Sequence, residues 1–482
     1  MIPVCTPDEM SAVDAAATEP LDVLIGRAGA AVARAVLDEL GGGYGRRVVV
    51  LAGKGSNGAD GRVAADLLAC RGVRTSVVDA ATVPDRLPAS GDHAVDLVVD
   101  AAYGTGLGRP FEAPATDAPV LAVDLPSGLD GLTGEASGRP LVASRTVTFA
   151  ALKPGLLFGD GPALAGRVEV VDLGLDVSGA TAHLLTDADI AALVPDRSAD
   201  AHKWQRACWV IAGSPGMEGA AGLAATAALR AGAGYVRLSV PGGAAGPGES
   251  AGPGENAASE VVHLPVGTDL AVGEQEQARF ASMVVGPGLG VDEEVAEAVR
   301  RLVASPGPPM VVDGDALTAL AGHPVDGAAR ELVLTPHDGE FARLTGGPPG
   351  PDRMAAARSL AADTGAVVLL KGPTTVVAAP DGRVLLAAAG DARLATAGSG
   401  DVLAGIIGAF LARGAEPLEA AAAAAHVHGR LVTAPGSDEL PITGVVAGDL
   451  SARLVSVLEQ LGVDGSDPRG RIGGADRETG GC

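Results

Sequence analysis

Aromatic side chains are scarce in this chain, since two tryptophans, three tyrosines and six phenylalanines make up only 2% of its 482 residues. The core must therefore be built mainly from alanine, valine and leucine, within an apolar fraction of 47%. Basic residues are also few, 35 against 59 acidic ones, and the formal net charge is −24. Such a charge argues against a nucleic acid or an anionic membrane as the partner of the whole chain.

Cysteine and long apolar runs are scarce as well. Cys5, Cys70, Cys208 and Cys482 form no CxxC pair, and no histidine cluster stands near them at zinc spacing. We expect free thiols and therefore a cytoplasmic protein. No basic patch followed by an apolar run predicts a signal peptide, and no stretch of ~20 apolar residues predicts a membrane span.

The length predicts two domains, because a single core stops growing at roughly 250–300 residues. A polar stretch at 186–201 separates an expected first domain, residues 1–190, from a second, residues 198–462. The segment 241–256 is rich in glycine, proline and glutamate, which predicts a surface loop inside the second domain. Residues 463–482 contain almost no apolar side chains and are expected to form a disordered tail.

Short apolar runs alternate with alanine- and leucine-rich helical segments throughout the chain. This alternation predicts parallel α/β sheets in both domains. The predicted strands are residues 48–52, 95–100, 120–124, 207–212, 282–285, 310–313, 332–335 and 366–371. Since ligands of parallel sheets bind beyond the carboxyl ends of the strands, the polar residues that follow these runs are the candidates for function.

In the first domain, a glycine-rich loop at 53–61 follows a predicted strand and precedes a helix expected from Arg62. Bare backbone N–H groups in such a loop can bind phosphate, although a tight strand-to-helix turn would explain the glycines equally well. Asp100 and Asp124 end two further strands, and a second glycine-rich loop follows Asp100. Two carboxylates beside two such loops indicate a nucleotide and cation site; a helix N-cap is the alternative for each aspartate.

The segments SNGADGRVAADLL, DAAYGTGLGRP and DLPSGLDGLTG together resemble the NAD(P)HX epimerase domain over about residues 1–185. The resemblance implies a Rossmann-like sheet, a site for the hydrated nucleotide and a potassium ion at Asn57, Asp100 and Ser127. Asp124 would lie at the reacting ring. The implied substrate contacts are Ser56, Asn57, Gly58, Ala59, Asp60, Gly104, Thr105, Gly106, Leu107, Gly108, Arg109, Pro110 and Asp124.

Two residues depart from the family loop, which usually reads Asn-Asn-Gly-Gly-Asp. Ser56 replaces the first asparagine and Ala59 replaces a glycine. If that glycine position needs a positive φ, Ala59 would be strained by ~1 kcal/mol or more and the epimerase would be slower. Inversion of the hydroxyl-bearing carbon, by ring opening or by reversible loss of the hydroxyl, needs a proton acceptor and donor, for which Asp124 is the candidate.

In the second domain, a Gly398-Ser399-Gly400-Asp401 segment opens an apolar helix. Its N–H groups would face an anion with help from the helix dipole, and Asp401 could accept a proton from an attacking hydroxyl. A first-turn aspartate that merely favours the dipole is the alternative. The motifs GPGLG, TPHDGE and LLKGPTT each follow a buried run, so their polar groups are expected to meet in one cleft.

Taken with ATAGSGDVLAG, these motifs resemble the ribokinase-like NAD(P)HX dehydratase over about residues 200–460. The resemblance implies phosphorylation of the ring hydroxyl by ADP or ATP with Mg²⁺, and Asp401 as the base. The implied contacts to the hydrated dinucleotide are Ala220, Gly288, His337 and Asp401. The implied contacts to the adenine nucleotide are Lys371, Gly372, Pro373, Thr374, Thr375 and Gly400. Trp204 and Asp391 depart from the family's usual residues and predict local repacking.

The expected protein is thus an α/β fusion of an N-terminal Rossmann-like epimerase domain and a C-terminal ribokinase-like dehydratase domain. Its partners would be small molecules, NADHX or NADPHX and ADP or ATP, and a homo-oligomer is expected. A ribokinase-type kinase for another small molecule shares the Gly-Ser-Gly-Asp device, but leaves TPHDGE and the first domain unexplained. A first domain that only binds nucleotide is a third hypothesis. The sequence leaves the choice between ADP and ATP open.

Overall fold

The computed structural model describes residues 1–88, 94–105, 110–196, 202–242, 257–323, 325, 327–436 and 439–463. Most of the loop predicted at 241–256 and of the tail predicted at 463–482 therefore lies outside the described residues. The strands are β1 (Ile2–Val4), β2 (Arg47–Ala52), β3 (Arg74–Asp79), β4 (Leu97–Ala101), β5 (Phe111–Glu112), β6 (Val120–Val123), β7 (Gly138–Arg139), β8 (Arg145–Phe149), β9 (Arg167–Val171), β10 (Ala182–Leu184), β11 (Ala207–Ile211), β12 (Tyr235–Ser239), β13 (Val262–His263), β14 (Ser282–Val285), β15 (Met310–Val312), β16 (Leu332–Leu334), β17 (Val367–Leu370), β18 (Thr375–Ala378) and β19 (Val384–Ala387).

Helices connect most of these strands, as the alternating sequence pattern predicts. They are α1 (Pro7–Ala16), α2 (Leu21–Leu40), α3 (Ser56–Ala69), α4 (Gly161–Leu164), α5 (Asp187–Leu193), α6 (Glu218–Arg230), α7 (Glu274–Gln277), α8 (Glu293–Ala304), α9 (Asp315–Leu320), α10 (Asp338–Thr345), α11 (Arg353–Thr364), α12 (Ser399–Ala412), α13 (Pro417–Thr433) and α14 (Ala447–Gln460). No helix in the described ranges is both long enough and apolar enough to cross a membrane.

The chain divides into two compact units. The first consists of Met1–Leu184 together with two short later segments, Pro349–Ala356 and Gly382–Leu386. The second begins at Leu185 and contains the rest of the described chain. The first unit recruits the later segment at 382–386 through pairing between strands, since β10 runs parallel to β19 and antiparallel to β1.

The first unit is a doubly wound sheet. Its strands follow the order β3-β2-β4-β6-β8-β9, and every neighbouring pair is parallel. β2 is buried on both faces, as expected of a central parallel strand. Val48 and Val50 pack in the cluster that includes α2 and α3, whereas Val49 and Leu51 pack on the opposite face with Phe111. From β2, the next strand in sequence lies on one side and the later strands lie on the other, so the switch point of the sheet lies between β2 and β4.

The second unit contains a larger parallel sheet, in the order β13-β12-β11-β14-β15-β16-β17 among the described strands. β18 follows β17 as an antiparallel neighbour, which the sequence pattern did not predict. The direction of strand addition reverses between β11 and β14, so the switch point lies there. Every residue of α12 from Val402 to Ala412 is buried, as expected for a helix that is apolar on all sides.

Candidate active sites

The switch point of the first unit lies where the turn after β2 meets the segment after β4. A cavity of about 560 Å³ opens there, and α1 and α2 contribute part of its wall. Six of the residues that the sequence predicts for the epimerase site line this cavity. They are Ser56, Asn57, Asp60, Gly104, Thr105 and Asp124. Pro110 is exposed, and Gly106, Leu107, Gly108 and Arg109 lie outside the described residues.

The glycine-rich turn is shorter than the sequence analysis expects. Helix α3 begins at Ser56 and not at Arg62, so only residues 53–55 form the turn. A methyl group on Gly58 would lie 2.0 Å from the Gly53 carbonyl oxygen, so this close approach of strand and helix requires glycine. Ala59 lies inside α3 and is not among the non-glycine residues with positive φ. The strain predicted for Ala59 is therefore absent, because the helix gives that position an ordinary conformation.

Asp100 and Ser127 form a buried network behind the cavity. The Asp100 carboxylate accepts hydrogen bonds from the Ser127 hydroxyl at 2.6 Å and from the Ser127 N–H at 2.8 Å. The Ser127 hydroxyl oxygen in turn accepts from the Tyr103 N–H at 2.8 Å, next to cavity-lining Gly104. Asp100 is fully buried, and this burial raises its pKa although the hydrogen bonds from Ser127 and Ala102 oppose the rise.

Asn57 presents the opposite situation, a buried amide without partners. Neither its Oδ1 nor its Nδ2 finds a hydrogen-bond partner within the part of the chain that the structure describes. Its side chain lies beside Gly104, where a Cβ would be 3.8 Å from the Asn57 Cβ and Cγ. Because an unsatisfied buried amide costs about 1–3 kcal/mol, the Asn57 amide is a candidate for binding a ligand or an ion.

Asp124 is the carboxylate that the structure places at the wall of the cavity, directly after β6. Its Oδ1 lies 2.6 Å from the Lys153 Nζ and accepts a hydrogen bond from the Thr148 hydroxyl at 3.1 Å. Asp60 is 7% exposed, and burial together with the negative charge of Asp124 raises its pKa to about 8. The cavity therefore combines an ion-paired carboxylate with a second carboxyl group that is protonated at neutral pH.

The switch point of the second unit brings two glycine-rich turns together. The Gly213 N–H after β11 donates to the Pro287 carbonyl oxygen after β14 at 2.7 Å, and the Ser214 hydroxyl donates to the Gly288 carbonyl at 2.9 Å. Ala220 in the first turn of α6 lies against Gly288, where an added Cβ would be 2.9 Å from the Ala220 Cβ. The structure thus places these two predicted substrate contacts side by side.

The carboxyl ends of β15, β16 and β17 hold a buried polar cluster. Asp313 is 2% exposed and accepts a hydrogen bond from the Thr335 hydroxyl at 2.6 Å. The Lys371 ammonium lies 2.5 Å from the same Asp313 oxygen. Burial tends to lower the pKa of Lys371, but the charges of Asp313 and Glu340 prevail and raise it. Lys371 is therefore firmly cationic at the edge of the sheet.

Asp401 lies in the first turn of α12, directly beside this cluster. A Cβ on Gly400 would be 3.4 Å from the Lys371 Nζ and 4.0 Å from Asp313 Oδ2. Burial and the negative charge of Asp313 raise the pKa of Asp401 from 3.8 to about 7, although Lys371 opposes the rise. Gly398 has a φ of +87°, a conformation that suits glycine, and α12 begins directly after it. The N–H groups of a first helical turn point toward the start of the helix, where an anion can bind.

His337 caps the start of α10 with its side chain. Its Nδ1 accepts hydrogen bonds from the Gly339 N–H at 2.9 Å and from the Glu340 N–H at 3.3 Å. Because Nδ1 is an acceptor, the neutral ring carries its proton on Nε2, which can donate to a ligand. The side chain is 55% exposed, and Glu340 Oε1 lies 3.6 Å from Nε2. Burial raises the pKa of Glu340, while Lys371 opposes the rise.

The segment after Lys371 forms the hairpin turn that joins β17 to β18. Thr374 is buried, whereas Gly372 and Pro373 are exposed and Thr375 begins β18. The Lys371 N–H donates to the Pro336 carbonyl oxygen at 2.9 Å, so this turn lies against the segment that carries His337. Of the residues predicted for the adenine nucleotide, Lys371 lies beside Gly400, and the other four follow Lys371 directly in the chain.

Three residues of these sites were not singled out by the sequence analysis. Lys153 is an ordinary-looking lysine in an LKPG segment, Asp313 is the last residue of a predicted strand, and Glu340 belongs to TPHDGE, in which only His337 was predicted. All three residues lie directly after a buried strand or about one helical turn beyond it, and this position is the sequence signal that they share. The sequence departures are accommodated locally: Trp204 stacks at 4.5 Å on Tyr235, and Asp391 caps a short 3₁₀ helix, Ala392–Leu394.

Two doubly wound α/β units with glycine-rich turns and carboxylates at their switch points are typical of enzymes that act on nucleotides. Residues 208–451 match the family model of NAD(P)H-hydrate dehydratase. Residues 21–94 and 81–155 match that of the YjeF-related protein N-terminus.

Relatives resemble the chain over most of its length. The bifunctional NAD(P)H-hydrate repair enzyme of Salinibacter ruber is 37% identical, with 93% of this chain and 94% of the relative covered. That of Mycobacterium leprae is 41% identical, over 88% and 92%. The ADP/ATP-dependent NAD(P)H-hydrate dehydratase of Bacillus subtilis, co-crystallised with ATP/Mg²⁺, is 30% identical with a TM-score of 0.50, over 57% of this chain and 97% of that chain. The chain belongs to the family of bifunctional NAD(P)H-hydrate repair enzymes.

Proposed function

We propose that this chain repairs hydrated NADH and NADPH with two activities. The first unit interconverts the R and S epimers, and the second dehydrates the S epimer at the expense of ADP or ATP. The observation that supports this most directly is the arrangement of Asp401, Lys371 and Asp313 beside the start of α12, where a base, a cation and a helix N-terminus lie together.

In the dehydratase reaction, Asp401 takes the proton of the ring hydroxyl while the hydroxyl oxygen attacks the terminal phosphoryl group. The bond between that phosphorus and its bridging oxygen breaks, and the N–H groups at the start of α12 stabilise the transferred charge. Phosphate then leaves with the C–O electron pair, and a proton lost from the neighbouring ring carbon restores the double bond. His337 fits a donor to the dinucleotide, because its Nε2 carries the proton.

Mg²⁺ fits this site when it arrives with the nucleotide. No group of three histidine, cysteine, aspartate or glutamate side chains that could hold a metal occurs in the described ranges. Mg²⁺ is commonly held by one or two carboxylates plus substrate phosphates, and not by an all-protein cage. Lys371 and the N–H groups near Gly400 would bind the phosphates beside it, and the ion would neutralise their charge.

Potassium fits the first unit. The candidate donors are all oxygens, namely the unpartnered amide oxygen of Asn57 and the buried oxygens of Asp100 and Ser127, and oxygen donors suit a hard monovalent cation. These three residues would hold the ion and orient the nucleotide segment around Gly104. Replacing K⁺ by a larger organic cation in the buffer should lower the epimerase rate, and K⁺ should raise the melting temperature of the protein.

A single experiment tests both activities. Purified chain is given a mixture of R and S epimers with ADP or ATP, and recovery of NADH is followed by its absorbance. Recovery to completion supports two activities, whereas a stop near half supports a first unit without catalysis. Accumulation of a stable phosphorylated product would overturn the repair reaction. An Asp401→Asn variant should recover no NADH while it still epimerises. The cytoplasmic location and the homo-oligomer stay predictions.

A further inference from the structure

Lys153 is a buried lysine whose charge faces the cavity of the first unit. Its side chain is 3% exposed, and its ammonium lies 2.6 Å from Asp124 Oδ1. It also donates to the Thr148 hydroxyl and to the Phe149 carbonyl oxygen, each at 3.0 Å. Three partners satisfy the three ammonium protons, so both position and charge of this lysine are closely determined. A lysine is almost never this buried without such a set of partners.

The backbone is strained directly after both strands that lead into this ion pair, β6 and β8. Asp124 after β6 has a φ of 68°, and Ala150 after β8 has a φ of 61°. Among the described non-glycine residues, only Leu270 shares a positive φ with them. Each such conformation costs about 1–3 kcal/mol and persists mainly where a functional arrangement needs it. The pair is therefore held in place at a cost in stability.

The two oxygens of the Asp124 carboxylate have different surroundings. Oδ1 is engaged by Lys153 and by the Thr148 hydroxyl. Oδ2 points toward Gly104, where a Cβ would be 3.4 Å away, and Gly104 itself lines the cavity. One oxygen is thus anchored, and the other is presented to a ligand.

The charges around the pair are otherwise acidic. Asp14 on α1, Glu19 before α2 and Asp60 on α3 line the same cavity, and Lys153 is the only basic side chain that does so among the described residues. Without the ammonium, the Asp124 carboxylate would face only other carboxyl groups and would lose the partner that fixes its orientation. The ammonium of Lys153 therefore holds Asp124 in place in this cavity.

We propose that Lys153 is the positioning residue of the epimerase site, which holds Oδ1 of Asp124 and so aims Oδ2 at the ring hydroxyl of the substrate. The proposal rests on the epimerase function proposed above. The hydroxyl proton passes to Oδ2, and the electron pair of the O–H bond forms a carbonyl. The bond between that carbon and the ring nitrogen breaks, and its electron pair stays on nitrogen, delocalised into the carboxamide. Closure on the other face returns the proton from Asp124 to oxygen.

The test measures conversion of the R epimer by the full chain without ADP or ATP, so that the dehydratase cannot act. Lys153→Met should lower kcat by about 100-fold or more, the usual range for loss of general acid–base catalysis. Its KM should change little, whereas Lys153→Arg, which keeps the charge, should recover part of the lost kcat. Arg167→Met, the loss of an exposed cation in the same unit, should behave as wild type.

A double variant separates positioning from a merely structural role. If Lys153 acts through Asp124, the pair Lys153→Met and Asp124→Asn should be no slower than Asp124→Asn alone, and it removes both buried charges together. Multiplicative losses would overturn the proposal, as would a wild-type kcat in Lys153→Met or no recovery of kcat in Lys153→Arg. ATP-driven dehydration of the S epimer by the same preparations should stay unchanged. A wild-type chain that does not epimerise would instead refute the proposed function.

Discussion

The pH dependence of dehydration should follow the ionisation of Asp401, and Asp313 should help to set it. A base must be ionised to accept the hydroxyl proton, and the pKa of Asp401 is raised to about 7. Burial is the largest cause, and the negative charge of Asp313 comes second. An Asp313→Asn substitution removes that charge and keeps the shape, so the acid limb of kcat/KM should move to lower pH.

The size of this shift follows from Coulomb's law. For unit charges roughly 8 Å apart at an effective dielectric constant of about 20, that law gives an order of magnitude of about 2 kcal/mol. Since one pKa unit corresponds to about 1.4 kcal/mol, an interaction of that size displaces the limb by roughly 1.5 pH units. Lys371→Met should displace the limb in the opposite direction, because the ammonium lowers the pKa of Asp401. A pair of substitutions with opposite signs cannot be explained by a general loss of stability.

The assay follows NADH formation from the pure S epimer with ATP and Mg²⁺ from about pH 5 to 9, below substrate saturation. Wild type should gain about tenfold in rate between pH 6 and 8. The epimerase rate of each variant serves as the control, because its site lies in the other unit. An acid limb that stays at the wild-type position in Asp313→Asn would refute the role assigned to Asp401, whatever the absolute rate.

Three further substitutions test local features of the two sites. Asp60→Asn should stabilise the protein by roughly 4 kcal/mol near neutral pH. The raised pKa of Asp60 makes the folded wild-type protein less stable as the pH rises from about 4 to about 8, and the variant lacks this loss. Calorimetric melting should therefore show a difference in stability that grows over this pH range, and a constant difference would contradict the prediction. Gly58→Ala should abolish epimerisation through its clash with the Gly53 carbonyl, whereas Ala59→Gly should not speed it, and HPLC of the epimers checks both. Gly398→Ala brings a methyl 2.6 Å from Leu223 Cδ1 and should slow NADH formation, whereas Gly346→Ala, with a similar positive φ but open space, should not.

The sequence predicted where the strands end better than it predicted the order of the strands in each sheet. Runs such as 282–285 coincide with strands, and the polar residues after them do meet. This works because a buried parallel strand needs a continuous apolar run, and its end is marked by the first polar residue. The order of strands depends on packing between segments far apart, and the pairing of β10 with β19 spans about two hundred residues that carry no local sign of it.

The same limit explains which site residues were missed. Asp401 and Asn57 stand in glycine-rich segments, whose composition reveals them. Lys153 and Asp313 acquire their importance from partners, Asp124 and Lys371, that lie 29 and 58 residues away. The wrong start of α3, at Arg62 instead of Ser56, has a different origin. Glycines usually indicate a loop, but here Gly58 lies inside the helix because α3 approaches the preceding turn closely.

The two units reach the same requirement, an ionisable base next to bound nucleotide, by opposite electrostatic routes. In the first, a lysine forms an ion pair with Asp124 directly, in a cavity whose other ionisable side chains are carboxyl groups. In the second, Asp313 occupies the lysine instead, and Asp401 is left with a pKa of about 7 beside it. The difference suits the chemistry, since Asp313 holds Lys371 where its charge can also bind phosphate oxygens, and a base that is half protonated near neutral pH can both accept and release the hydroxyl proton.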